Sequence, residues 1–162
     1  MSDKSLIEYK KELLKGLLAR AEEQEVAVKK ALATAQNDAN EAEGAMVSRY
    51  STFKEEAQYL AGGLKGRLNA IQADIAMIKQ LLELTIRRNN RVESLAIVTV
   101  EIGREEKKYF ILPALAGEIM NDMAIITPSS PIGKALIRKE TGDEFSFTVD
   151  GKKKTGDIID VQ

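Results

Sequence analysis

Residues 129–137 read Ser129-Ser130-Pro131-Ile132-Gly133-Lys134-Ala135-Leu136-Ile137, with Gly142-Asp143 close behind. Ser130 followed by Pro131 is the pattern of an N-cap and a first helical residue, because proline's fixed φ suits the first turn and its missing N–H has no helical partner there anyway. The helix they begin is short, since Thr141-Gly142-Asp143 stops it. Glu144-Phe145-Ser146-Phe147-Thr148-Val149 then alternates like a strand, and Asp150-Gly151 is a tight-turn signal.

Upstream, residues 92–162 read as β structure around that one helix. The stretch from Leu95 to Ile102 is an expected strand, Gly103-Arg104-Glu105-Glu106 a turn, and Lys108 to Leu112 a returning strand before Pro113. Ala124-Ile125-Ile126-Thr127 is a third, and Asp157 to Val161 closes the set. Phe110, Ile126, Ile132 and Leu136 are the expected core of this domain.

Residues 1–91 carry a different period. Ser5-Leu6-Ile7-Glu8 has the form of a capping box. Ile7, Leu14, Ala21, Val28 and Ala35 then recur every seven residues, with Leu17 and Ala31 in the companion column and Leu18 and Leu32 beside them. Alanines thin this seam so that another helix can approach closely. The helix is expected from about Ser5 to about Asn37, fading in the turn-prone Gln36 to Gly44. A second periodic segment starts near Met46. Ala57, Leu64, Ile71 and Ile78 form one column and Ala61, Leu68, Ile75 and Leu82 the other, closing at Arg87-Arg88-Asn89-Asn90-Arg91. Basic residues there suit the negative pole of a helix. Gly62-Gly63 interrupts the pattern, as a weak point or as a kink. The expected architecture is α+β: an antiparallel coiled-coil hairpin over 1–91, with its tip near 37–46, then a small β domain over 92–162.

Composition removes several kinds of chemistry. The 162 residues include no cysteine and no histidine. Disulfides, thiolate zinc sites, cysteine nucleophiles, histidine metal ligands and histidine general bases are therefore all excluded. Basic and acidic residues number 15 and 14 up to Ser94 and 9 and 11 after it, so neither half offers a bulk nucleic-acid surface. The N-terminus lacks a signal-peptide core and no apolar run is long enough for a membrane span, which makes a soluble cytoplasmic protein the expectation.

The order of Ser-Pro, short Ala-Leu helix, Gly-Asp and terminal hairpin in SPIGKALIRKETGDEFSFTVDGKKK resembles the C-terminal domain of the bacterial Gre transcript-cleavage factors. Tyr50, Lys54-Glu55-Glu56 and Gly66-Arg67-Leu68 resemble, in the same order, the second helix of that family's hairpin. The resemblance implies an FKBP-like β domain behind the hairpin. It also implies a partner, RNA polymerase, approached through its secondary channel, with Ser130, Pro131, Ile132, Tyr50 and Lys54 as partner-binding positions. Tip carboxylates would help hold a second Mg²⁺ at the polymerase active site, so that the polymerase hydrolyses backtracked nascent RNA. The chain would be no enzyme by itself, would carry no cofactor of its own and would be a monomer. An FKBP-like fold does not by itself imply prolyl isomerisation, and the last 68 residues hold only Tyr109, Phe110, Phe145 and Phe147 to line such a pocket.

The tip departs from the family. Counted back from Tyr50 without gaps, the places of the family's two acids hold Gly44 and Val47. A D-x-x-E lies earlier, at Asp38 and Glu41, with Glu43 beside it. Asp38, Glu41 and Glu43 are thus candidate metal-assisting carboxylates, with Asp38 and Glu41 as the pair that would reach the metal. The alternative is that they only solvate a loop and cap a helix. Tyr50 and Phe53 are expected to pack the core or tip. Lys29, Lys30, Arg49, Lys54 and Arg67 form either an RNA-guiding face or an ordinary solvated one. A channel-blocking factor without cleavage activity, or a coiled-coil adaptor unrelated to transcription, remains open beside a cleavage factor.

Overall fold

The computed structural model describes residues 1–41 and 47–162, with side chains described for 1–38 and 52–162. Two helices come first, α1 (Asp3–Glu41) and α2 (Val47–Glu83). Six strands and one short helix follow: β1 (Ile97–Ile102), β2 (Glu105–Ile111), β3 (Ile119–Met120), β4 (Met123–Ile126), α3 (Pro131–Leu136), β5 (Glu144–Val149) and β6 (Lys152–Val161). At 39 and 37 residues, α1 and α2 each run for more than about 50 Å at a rise of about 1.5 Å per residue.

Met1–Leu17 and Gln80–Gln162 form one compact unit, and Leu18–Lys79 forms another. The second unit is a helical hairpin. Ala21, Val28 and Ala35 of α1 and Ala57, Ile71, Ile75 and Ile78 of α2 are buried along its seam, as the heptads predict. Ala31 is exposed, and Leu32, Leu64 and Leu68 are half-buried. A helix with a single helical neighbour covers its seam incompletely, and here both columns are well buried toward the hairpin's base and wetter in between, as Leu64 and Leu68 against Ile71 and Ile75 show. Phe53 is half exposed and lies outside the seam.

The helix ends differ from the expected ones. α1 starts at Asp3, two residues before Ser5, because Ser2 Oγ accepts the Ser5 N–H at 3.3 Å and thereby takes the capping role. α1 also continues through Asn37 to Glu41; asparagine and aspartate near a helix end cost only a few tenths of a kcal/mol more than neutral residues, about 0.7 at most. α2 stops at Glu83, and no basic residue lies in its last turn. The Arg87–Arg91 stretch is drawn instead into contacts with residues distant in sequence.

Gly62-Gly63 lies within the uninterrupted α2. A Cβ at Gly62, Gly63 or Gly66 would meet no atom within 4 Å. Alanine there removes backbone freedom from the unfolded chain without a clash. The double replacement Gly62→Ala/Gly63→Ala is therefore expected to stabilise the protein by ~2 kcal/mol, about 1 per site. Urea unfolding would show it as a higher midpoint at unchanged slope; a lower midpoint would mean that these positions are packed against something.

In the first unit the strands make one sheet in the order β3-β4-β2-β1-β6-β5. Only β2 and β4 pair in parallel. The turn between β1 and β2 is tighter than expected: Ile102 pairs with Glu105, so Glu105 and Glu106 are strand and Gly103-Arg104 alone turns, with Gly103 at φ 66°. Asp150 and Gly151 both have positive φ, 51° and 74°, the form that a two-residue hairpin turn requires. Val92, Val98, Val100, Ile111, Leu136, Phe145 and Ile158 are among the residues of the sheet's core, and Ile132 packs partly buried against it. Phe110 and Ile126 are buried as expected. Among the described residues no helix is long and apolar enough to cross a membrane.

Candidate interaction site

α3 stands at the end of β4 and is set by local chemistry. Ser130 is extended, at φ −66° and ψ 157°, and its Oγ accepts the Gly133 N–H at 3.0 Å. The same hydroxyl donates to the Thr127 carbonyl oxygen at 2.8 Å, which also accepts the Ser130 N–H at 3.1 Å. Ser130 is thus an N-cap whose hydroxyl is engaged within its own loop. Pro131 follows as the first helical residue and is exposed, as is Lys134 one turn on. Ile132 turns toward the core. Of the three positions expected to meet a partner here, Pro131 is the one presented outward.

The helix is shorter than the sequence predicts. It ends at Leu136, well before Thr141-Gly142-Asp143. Ile137 is its C-cap, and Arg138 takes a left-handed conformation at φ 65°, where its N–H donates to the Val92 carbonyl. A non-glycine residue can hold that cap conformation when a tertiary hydrogen bond fixes it.

The same unit contains a site that sequence reasoning missed. On the first turns of α1, Leu6, Leu13 and Leu17 are buried, and Lys10 stands among them fully buried. Its Nζ donates to the Arg87 carbonyl oxygen at 2.9 Å, to Asn89 Oδ1 at 2.8 Å and to the Gln162 backbone oxygen at 2.9 Å. All three ammonium protons thus have acceptors. Burial above all, with the Arg88 guanidinium acting in the same sense and the Glu93 carboxylate opposing, lowers the Lys10 pKa to about 8. Asn89 is held in turn, its Nδ2 donating to Glu93 Oε1 at 2.7 Å. Arg88 donates to Asp3 Oδ1 at 2.6 Å and Arg91 to Glu140 Oε1 at 2.6 Å. The root of the helix pair, the connecting segment and the end of β6 therefore share one polar knot. The only sequence signal was a lysine on an apolar face.

In the hairpin unit, Asp38 is exposed in the last turn of α1. Glu41 is the last residue of α1, three positions after Asp38 in the sequence. The side chains of Glu41 and Tyr50, and all of Glu43, lie outside the described residues. Lys54 is half-buried. Lys29 pairs with Glu25 at 3.0 Å, while Lys30 and Arg67 are exposed. Among the described residues no group of three acidic side chains is placed to hold a metal.

A family model described as transcription elongation factor, GreA/GreB, C-term, matches residues 87–162. The transcription elongation factor GreA of Francisella philomiragia is 30% identical over 120 residues, 70% of this chain and 74% of that one. GreA of Thermodesulfovibrio yellowstonii is 28% identical over 118 residues, 69% and 73% of the two chains. Among solved structures, GreA factor homolog 1 (Gfh1) of Thermus thermophilus aligns at a TM-score of 0.39 and 20% identity, over 90% of this chain and 94% of that one.

Proposed function

Because this chain belongs to the GreA/GreB family of transcription elongation factors, we propose that it regulates a bacterial RNA polymerase through the secondary channel. The observation that carries this reading is the helical hairpin: α1 and α2 double back within one chain, ahead of a mixed sheet. Such a hairpin is narrow enough for a pore, and its length lies in two helices rather than in loops. The β domain, with Pro131 outward on a capped α3, is the part that holds the factor at the channel entrance.

Asp38 and Glu41 are the carboxylates that act in transcript cleavage under this reading. In the sequence they stand three positions apart, a spacing at which two helical carboxylates can share a divalent ion. The hydrolysis is the polymerase's own, and Mg²⁺ at its active centre supplies the polarisation of the scissile phosphate. A second reading, channel blocking without cleavage, is favoured by one observation: Gly44 and Val47 stand where the family carries its acids, counted from Tyr50.

A cleavage assay on backtracked elongation complexes separates them. Wild-type protein is expected to stimulate cleavage, and Asp38→Ala/Glu41→Ala to lower it by at least about tenfold while retaining competition for core polymerase. Full activity in the double variant would remove these two residues from the mechanism. Binding without stimulation by the wild type would establish the blocking reading. Absence of binding to core polymerase would overturn both.

A further inference from the structure

Two cavities adjoin along the segment that joins α2 to β1. The larger, of about 520 Å³, has Leu84, Thr85, Ser94 and Leu95 in its lining. The smaller, of about 270 Å³, has Arg87, Arg88 and Arg91. Arg87 and Glu93 line both, so their ion pair at 3.4 Å divides the two. The walls are held from behind. Leu95 keeps a left-handed φ of 70°, fixed by its N–H donating to the Ile111 carbonyl oxygen at 2.8 Å. Asn89, also in the larger cavity, is clamped between Lys10 and Glu93. Walls already ordered spare a ligand the cost of ordering them.

We propose that the adjoining cavities bind a small organic phosphate, its phosphate among the three guanidinium groups and its apolar body against Leu84 and Leu95. An apolar hollow beside a few placed polar groups is the ordinary form of a small-molecule site, and the larger cavity alone falls in the usual range of about 300–1,000 Å³. The smaller cavity sets three guanidinium groups against one carboxylate. That carboxylate, Glu93, has its Oε1 engaged by both Arg87 and Asn89. Arg88 and Arg91 pair with Asp3 and Glu140, neither of which lines either cavity. Exposed pairs of this kind are weak, so they position an arginine without cancelling its attraction for an anion. Among the described residues these bonds use one nitrogen of Arg87, one of Arg91 and two of Arg88, which leaves N–H donors on each fork. Several planar forks suit the several oxygens of a phosphate, whereas a carboxylate has only two to offer.

The test uses the full chain, isotope-labelled, in a nuclear magnetic resonance titration at neutral pH and low salt. Adenosine 5′-monophosphate and hexyl phosphate are the probes, with inorganic phosphate, adenosine and a short single-stranded RNA beside them. Saturable shifts centred on residues 84–95 are expected, with at least one organic phosphate binding at least about tenfold more tightly than inorganic phosphate. The tighter of the two identifies the body as a nucleoside or an alkyl chain. Arg87→Gln/Arg91→Gln is expected to weaken organic and inorganic phosphate alike by at least about tenfold. Leu84→Gln, at an exposed side chain, is expected to weaken the organic phosphate and leave inorganic phosphate unchanged. Each variant's own spectrum shows whether the fold is kept, and Leu84→Gln tests the site even where the arginine pair does not fold. The proposal is overturned by organic phosphates that bind no better than inorganic phosphate, by shifts centred elsewhere, or by unchanged affinity in a folded arginine variant. Equal effects of Leu84→Gln on both kinds of phosphate, or tighter binding of the RNA, would overturn it as well. No polymerase enters this titration, so a negative result leaves the channel reading standing.

Discussion

Lys10→Met is expected to lower the unfolding free energy by about 3 kcal/mol at neutral pH, and by more in alkali. Methionine keeps the length of the side chain but supplies no donor. Asn89 Oδ1 and the Arg87 and Gln162 backbone oxygens then lose their partner in a buried place. Each such loss costs about 1–3 kcal/mol, partly offset because a buried charge also disappears. The pH dependence follows from the lowered pKa of about 8. In the unfolded chain this lysine keeps its proton to an ordinary value near 10.4. Below pH 8 both states are protonated and the burden of the buried charge is fully present. Between the two values the unfolded state binds more protons, so the contribution of Lys10 to stability rises with pH. The gap between wild type and variant should therefore widen by about 2 kcal/mol from pH 7 to pH 9.5. Urea unfolding of both proteins at those two pH values measures it. A gap that stays constant or narrows would show that Lys10 does not titrate in this window in the folded state.

This site also shows where sequence reading runs out. Lys10 meets partners 77, 79 and 152 residues away. No periodicity encodes contacts of that range, and a lysine among leucines reads as a gap in an apolar face. The same long-range pull ended α2 at Glu83: Arg88 found Asp3 and Asn89 found Lys10, so the basic run did not serve the helix pole. Features fixed within a few residues were legible. Asp150-Gly151 turns because both residues accept positive φ, and Ser130 caps because its hydroxyl reaches an amide three residues on. The seam through Ala21, Val28 and Ala35 was legible because it repeats. β3, two residues long, was not, since nothing periodic fits in two residues. Of the candidate functional residues, the sequence proposed Asp38 by a motif and Pro131 by a cap.

Gly133→Ala is expected to destabilise the protein by about 3 kcal/mol, although alanine is the better helix former. A Cβ at this position would run into the Thr127 carbonyl oxygen and lie 2.8 Å from Ser130 Oγ. Neither atom can withdraw cheaply. The Thr127 oxygen accepts from both the Ser130 N–H and the Ser130 hydroxyl, and that hydroxyl caps α3 through Gly133 itself. Relief must come from moving α3 as a body, which breaks the cap, about 1 kcal/mol, and shifts Leu136 out of the core. Overpacking of a close contact costs a further 1–3 kcal/mol, roughly. Propensity gains about 1 kcal/mol at most and so loses the comparison. The exposed neighbour Lys134 is the control, since Lys134→Ala should stay within about 0.5 kcal/mol of wild type. The same change from glycine to alanine thus has opposite signs at Gly63 and Gly133, because one faces open space and the other a backbone oxygen. Thermal unfolding of the two single variants side by side decides the matter: equal shifts in one direction would mean that the packing of α3 against the Thr127 loop does not hold in solution.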